Sequence, residues 1–144
     1  MIRKAEWKDT QSLGKLASAL WPHHTPEEMA TEMAAILEQE DAAVFLQWED
    51  GIPVGFAQCS LRRDYVEGTE SSPVGYLEGI YVAEGYRGQG YARQLMAACE
   101  NWAKENGCTE FASDCELENT KSLHFHLSVG FEEANRIICF TKKL

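Results

Sequence analysis

Apolar positions recur along this chain at two different spacings, and the changes from one to the other lay out its elements. Ile2–Ala5 reads as a short strand. Leu13, Leu16, Ala17 and Leu20 then fall on one helical face, with Asp9 or Thr10 placed to cap it. Trp21-Pro22-His23-His24 ends that helix, because proline disfavours helical geometry in the residue before it. A second helix follows, in which Thr25 and Glu28 make a capping box around Pro26 and Met29, Met33, Ile36 and Leu37 share the apolar side.

The spacing then shifts towards strands. Ala42–Trp48 and Ile52–Leu61 flank the tight turn Glu49-Asp50-Gly51, and Gly55 marks a bulge or a close backbone approach. A polar loop from Arg62 to Pro73 leads into a strand at Val74–Val82, and glycines 85, 88 and 90 form a turn. Ala92, Leu95, Met96, Cys99, Trp102 and Ala103 predict a long amphipathic helix that Gly107 ends. Thr109–Ser113 predicts a strand, Asn119–Ser128 a short helix, and Ala134–Lys142 a closing strand after the turn at Gly130. Early hairpins and a late β-α-β unit predict one α+β or α/β domain over residues 1–144, built around one sheet.

Composition narrows the partners. Twenty-three acidic against 13 basic residues give a net charge of −10, which excludes a general phosphate-backbone binder and suits a cationic substrate. No apolar run reaches the roughly 18 residues of a membrane span, and Met1–Trp7 lacks the apolar stretch of a signal peptide. Five cysteines (59, 99, 108, 115 and 139) without a C-x-x-C pair predict neither disulfides nor a metal site. They are expected to be small buried hydrophobes in a reducing cytoplasm. The adjacent His23 and His24 lack further ligands at suitable spacing and read as exposed polar residues.

The chemistry lies in Leu77–Leu95, where a strand runs into a glycine-rich turn that opens a helix. The first amides of a helix have no internal partners and sit at its positive end, so this turn can hold a pyrophosphate. Glycines 88 and 90 admit a close approach, and Arg87 or Arg93 adds positive charge. A Walker loop is excluded because no Gly-Lys-Ser/Thr follows, and a dinucleotide fingerprint because Arg93 stands where its third small residue belongs.

What remains, Arg87-Gly-Gln-Gly-Tyr-Ala92, resembles the Arg/Gln-x-x-Gly-x-Gly/Ala signature of the acetyl-CoA-dependent N-acetyltransferase (GNAT) superfamily. The segments Ser60–Gly68, Ser72–Val82 and Phe111–Asn119 further resemble the aminoglycoside 6′-N-acetyltransferases, as do Leu20-Trp21-Pro22 and Gly130-Phe131-Glu132. The resemblance implies a three-layer fold with a central, mixed, mostly antiparallel sheet flanked by helices. It implies acetyl-CoA as co-substrate, a polycationic aminoglycoside as acceptor, direct transfer in a ternary complex, no metal, and a homodimer; the apolar stretch Ile137–Phe140 reads as an interface strand or a buried core strand. By the same resemblance Ile80, Tyr81 and Val82 pair with the pantetheine arm, and Arg87, Gly88, Gln89, Gly90, Tyr91, Ala92 and Arg93 hold the pyrophosphate. Asn119 touches the pantetheine or phosphate region, and Trp21, Tyr65, Glu78, Asp114 and Asn135 fall at positions that contact the aminoglycoside.

A polycationic sugar calls for carboxylates and aromatic faces, and Glu78, inside an otherwise apolar strand, is the expected base or ammonium anchor. Two departures stand out. His126 replaces a tyrosine that in many members donates a proton to the CoA thiolate, leaving His126 or solvent for that role. Asn135 replaces an acidic residue, so one carboxylate fewer faces the acceptor. Acetylation of a polyamine, small metabolite or protein amine, and acetyl-CoA binding without catalysis, are the alternative readings.

Overall fold

The structure, a computed structural model, describes residues 1–144. Its sheet contains β1 (Ile2–Lys4), β2 (Ala42–Glu49), β3 (Ile52–Arg62), β4 (Val74–Val82) and β5 (Phe111–Ala112) in that spatial order. The first four strands are antiparallel neighbours, and β5 alone runs parallel to β4. Helices α1 (Thr10–Leu20) and α2 (Pro26–Leu37) cover one face. Helix α3 (Tyr91–Glu105) covers the other as the crossover between β4 and β5, and α4 (Thr120–Ser128) follows β5. No helix is long and apolar enough to cross a membrane.

Strand alternation sorts the core into two layers. Ala57, Cys59 and Leu77 pack against Leu95, Met96, Cys99 and Trp102 of α3. Val44, Leu46 and Phe56 pack against Leu13 and Ala17 of α1 and Met29 and Met33 of α2. Leu95 and Leu13 are fully buried, and truncating either to alanine removes about 2–5 kcal/mol of stability.

Two irregularities interrupt the ladders. Opposite Gln47 and Trp48, Val54 is an extra residue on β3, and at Gly55 an added Cβ would lie 2.8 Å from the carbonyl oxygen of Tyr81. Both expectations for that glycine, a bulge and a close approach, therefore hold at adjacent positions. On β4, Gln58 faces Gly79 while Cys59 faces Leu77, so Glu78 has no partner on β3. Such a bulge lets two successive side chains leave the strand on the same side.

Four local expectations need correction. Asp9 occupies the cap position of α1 without bonding its amides. It is instead a buried ion pair, receiving both Arg3 guanidinium nitrogens at 2.7 and 2.8 Å and the Glu6 amide at 2.8 Å. Only half of the capping box at α2 forms: Thr25 accepts from the Glu28 amide at 3.1 Å, while the Glu28 carboxylate meets His24 Nδ1 at 3.3 Å. The fifth strand shrinks from Thr109–Ser113 to Phe111–Ala112, because the chain leaves β4 after Ala112. Residues 134–142 form no strand, and Ile137, Ile138 and Phe140 are 68, 80 and 88% exposed.

The Arg3 guanidinium holds the Asp9 carboxyl below its ordinary value. A lowered folded pKa makes this stabilisation complete above the unfolded value near 4 and lost as pH falls through the folded one. Asp9→Asn is expected to cost about 2–3 kcal/mol at neutral pH, from leaving Arg3 without its anion. The deficit should shrink towards acid pH, which denaturant melts from pH 7 to pH 3 will measure.

Candidate active site

The bulge aims Glu78 to the α1–α2 side of the sheet, where β3 presents a row of polar side chains. Glu78 Oε1 accepts from Ser60 Oγ at 2.6 Å and from Arg62 Nη2 at 3.0 Å, and Arg62 Nη2 also reaches Oε2 at 3.0 Å. The Arg62 guanidinium lies 3.4 Å from the centre of the Tyr76 ring, and the Tyr76 hydroxyl donates to Asp114. Asp114 stands just past β5, where the chain parts from β4. Glu78 and Asp114, named separately from the sequence, thus belong to one network joined through Arg62 and Tyr76.

A cavity of about 270 Å³ opens beside Glu78, lined by Trp21, His24, Met29, Glu32, Gln58 and Ile36. Trp21 reaches it because residue 79 is glycine: a Cβ there would come within 2.6 Å of the indole. The ring also packs edge-on against Phe56, 6.0 Å between centroids. Tyr65 lies apart on the Arg62–Pro73 loop, 76% exposed. Asn135 donates to Glu67 of the same loop at 3.0 Å and does not line the cavity.

Sequence reasoning passed over Ser60, Arg62, Tyr76, Gln58, Glu32 and His24. A signal for three of them exists, since Gln58, Ser60 and Arg62 alternate with Ala57, Cys59 and Leu61 as a polar stripe of period two.

On the other side of Glu78, β4 runs past the end of β5. Pairing with β5 covers only Gly75 and Tyr76, so the edge at Ile80, Tyr81 and Val82 is open to an added extended chain. The strand leads into the glycine turn. Gly88 and Gly90 have φ of 81° and 83°, values that only glycine adopts without strain. None of the amides from Gly88 to Arg93 donates to a backbone carbonyl; the first such bond runs from Gln94 to Gly90 at 3.1 Å. Together they form an anion cradle at the start of a 15-residue helix.

The arginines of that turn are engaged elsewhere. Arg87 Nε donates to the Val82 carbonyl at 2.7 Å, and Arg93 Nη2 to that of Ser128 at 3.1 Å. Gln89 is exposed in the turn, and Tyr91 and Ala92 are half-buried at the start of α3. Asn119 caps α4 by accepting from the Ser122 amide at 3.1 Å. His126 Nδ1 donates to the Ser122 carbonyl at 2.6 Å, and Nε2 lies 2.8 Å from Ser113 Oγ. Any proton passed from His126 towards β4 would travel through Ser113, whose hydroxyl is 3.4 Å from the Leu77 carbonyl. No three His, Cys, Asp or Glu side chains are grouped to hold a metal ion.

Residues 7–131 match the acetyltransferase (GNAT) family. An aminoglycoside N(6′)-acetyltransferase type 1 from Serratia marcescens is 45% identical over 130 residues, 90% of this chain and 89% of that protein. One of the same name from Stenotrophomonas maltophilia is 42% identical over 144 residues, 99 and 93% of the two chains. The fold superimposes with a TM-score of 0.95 on AAC(6′)-Iy bound to the bisubstrate analog CoA-S-monomethyl-acetylneamine, at 40% identity, covering 100% of this chain and 98% of that one.

Burial and the Asp114 carboxylate push the Tyr76 phenol far up, so it stays a donor at any working pH. A raised folded pKa stabilises fully below the unfolded value near 10 and is lost as pH rises through the folded one. The denaturant midpoint should therefore fall above pH 10, and fall less steeply in Tyr76→Phe.

Proposed function

Because the chain belongs to the GNAT acetyltransferase family, we propose that it moves the acetyl group of acetyl-CoA to the 6′-amine of aminoglycoside antibiotics, and that this modification confers resistance. The observation carrying the reading is the position of Glu78, between an open strand edge leading to an anion cradle and a cavity with acidic lining. The relatives' names and the neamine-bearing bisubstrate analog bound by AAC(6′)-Iy support the acceptor.

Acetyl-CoA supplies an activated acyl group. Ile80, Tyr81 and Val82 pair with its pantetheine arm, and the amides of Gly88–Arg93 take the pyrophosphate. Asn119 contacts the pantetheine or phosphate region. Trp21, Tyr65, Glu78, Asp114 and Asn135 hold the acceptor, the carboxylates taking its ammonium groups. Glu78 accepts the proton of the reacting ammonium, directly or through a water. The amine lone pair then forms the C–N bond while an amide near Val82 holds the carbonyl oxygen. As the C–S bond breaks, the thiolate is protonated by His126 through Ser113, or by solvent. No covalent acetyl-enzyme is involved: Cys59, Cys99 and Cys108 are buried, and Cys115→Ala and Cys139→Ala should each keep turnover.

Two further parts of the proposal concern setting and assembly. Cys115 and Cys139 are exposed free thiols rather than the buried hydrophobes expected of them, because they lie outside the sheet and its covering helices, and free thiols suit a reducing cytoplasm. The apolar segment Ile137–Phe140 has no place in its own sheet, which supports pairing with a second copy as a homodimer. Sedimentation should give a dimer for the wild type and a monomer for Ile138→Asp. A wild-type monomer would contradict it.

Thiol release with a panel of amines tests the activity itself. An aminoglycoside with a 6′-amine should turn over, its 6′-hydroxyl counterpart should not, and NMR of the product should place the acetyl on the 6′ nitrogen. Gly90→Val should weaken CoA binding by about tenfold or more through its φ of 83°. Asp114→Asn should weaken acceptor binding and leave CoA affinity in place.

A further inference from the structure

We propose that Arg62 is a specificity-determining residue of the acceptor site, an internal cation with which the substrate's ammonium competes for Glu78. The inference rests on the acceptor reading above. Arg62 is the last residue of β3, and its guanidinium bridges both oxygens of Glu78 with its flat face on the Tyr76 ring. Oε1 already accepts from Ser60 Oγ and from Arg62 Nε and Nη2, at 2.6, 3.3 and 3.0 Å, so it has no room for another donor. Oε2 accepts only from Arg62 Nη2. An ammonium entering the cavity therefore arrives at a carboxylate whose charge is already matched.

Arg62 can leave. Its side chain is 43% exposed, against 26% for Glu78, and it needs only to swing from the strand end into water. For an acceptor with one ammonium, the exchange replaces one cation on Glu78 by another and gains little. A polycation gains more, because the carboxylates of Asp114 and of cavity-lining Glu32 form no ion pair with Arg62. Arg62 thus sets a threshold that monoamines fail to cross and polyamines cross through their additional charges, a discrimination made by the competing contact rather than by a better fit.

The test compares 6-amino-6-deoxyglucose, a monoamine carrying the same exocyclic amine, with an aminoglycoside of four amines. In Arg62→Gln the KM for the monoamine should fall about tenfold with kcat within about threefold, while the aminoglycoside KM moves less than about threefold. Arg62→Lys retains a cation and should retain the wild-type preference. CoA affinity, measured on each variant by calorimetry, reports that the fold is kept. A monoamine KM that stays or rises in a CoA-binding Arg62→Gln protein overturns the role of Arg62 and leaves the acetyltransferase reading intact. A wild-type enzyme that acetylates no aminoglycoside removes that reading and this inference with it.

Discussion

Strand β4 has one more residue than the stretch of β3 it faces, and the site follows from where that mismatch falls. A regular ladder would send alternate residues to opposite faces, and Glu78 and Gly79 could not both look towards α1 and α2. With the extra residue at 78, the carboxylate enters the cavity and the adjacent glycine leaves room for Trp21 to close over it. Beyond this point β4 continues without β5, which supplies the open edge, and then turns into the helix whose amides form the anion cradle. Thus the bulge, the strand edge and the cradle follow one another on a single run of chain.

The charges around the bulge form one connected chain of contacts. Ser60 and Arg62 satisfy Glu78, Tyr76 satisfies Asp114, and the Arg62 guanidinium stacks on Tyr76. This accounts for how a chain with a net charge of −10 holds both carboxylates within one network. Arginine is well suited to the task, since a planar cation can bond a carboxylate with its edge and an aromatic ring with its face.

How far the sequence discloses this molecule depends on the range of the interactions. Thr25, Gly90 and the apolar face of α3 act locally, and their roles are readable from neighbouring residues. Residues 134–142 carry the short apolar run Ile137–Phe140 that a strand would bury, but a strand needs a neighbour, and this sheet offers them none. Asp9 is a residue type that caps helices, yet Arg3, six residues before it, claims its carboxylate. Glu78 and Asp114 are legible through resemblance, whereas Arg62 and Tyr76, which connect them, depend on the pairing of β3 with β4 and on the short β5. The polar stripe Gln58, Ser60 and Arg62 is legible in the sequence, but only the register shows that it faces Glu78.

The claim on which most depends is that the bulge delivers a carboxylate to the reacting amine. Glu78→Gln keeps the shape of the side chain and removes its charge and basicity. The steady-state kcat/KM of this variant for an aminoglycoside with a 6′-amine, with CoA affinity measured on the same protein, tests it most directly. A fall of about 100-fold or more with CoA binding unchanged is predicted. A kcat/KM equal to that of the wild type would contradict it.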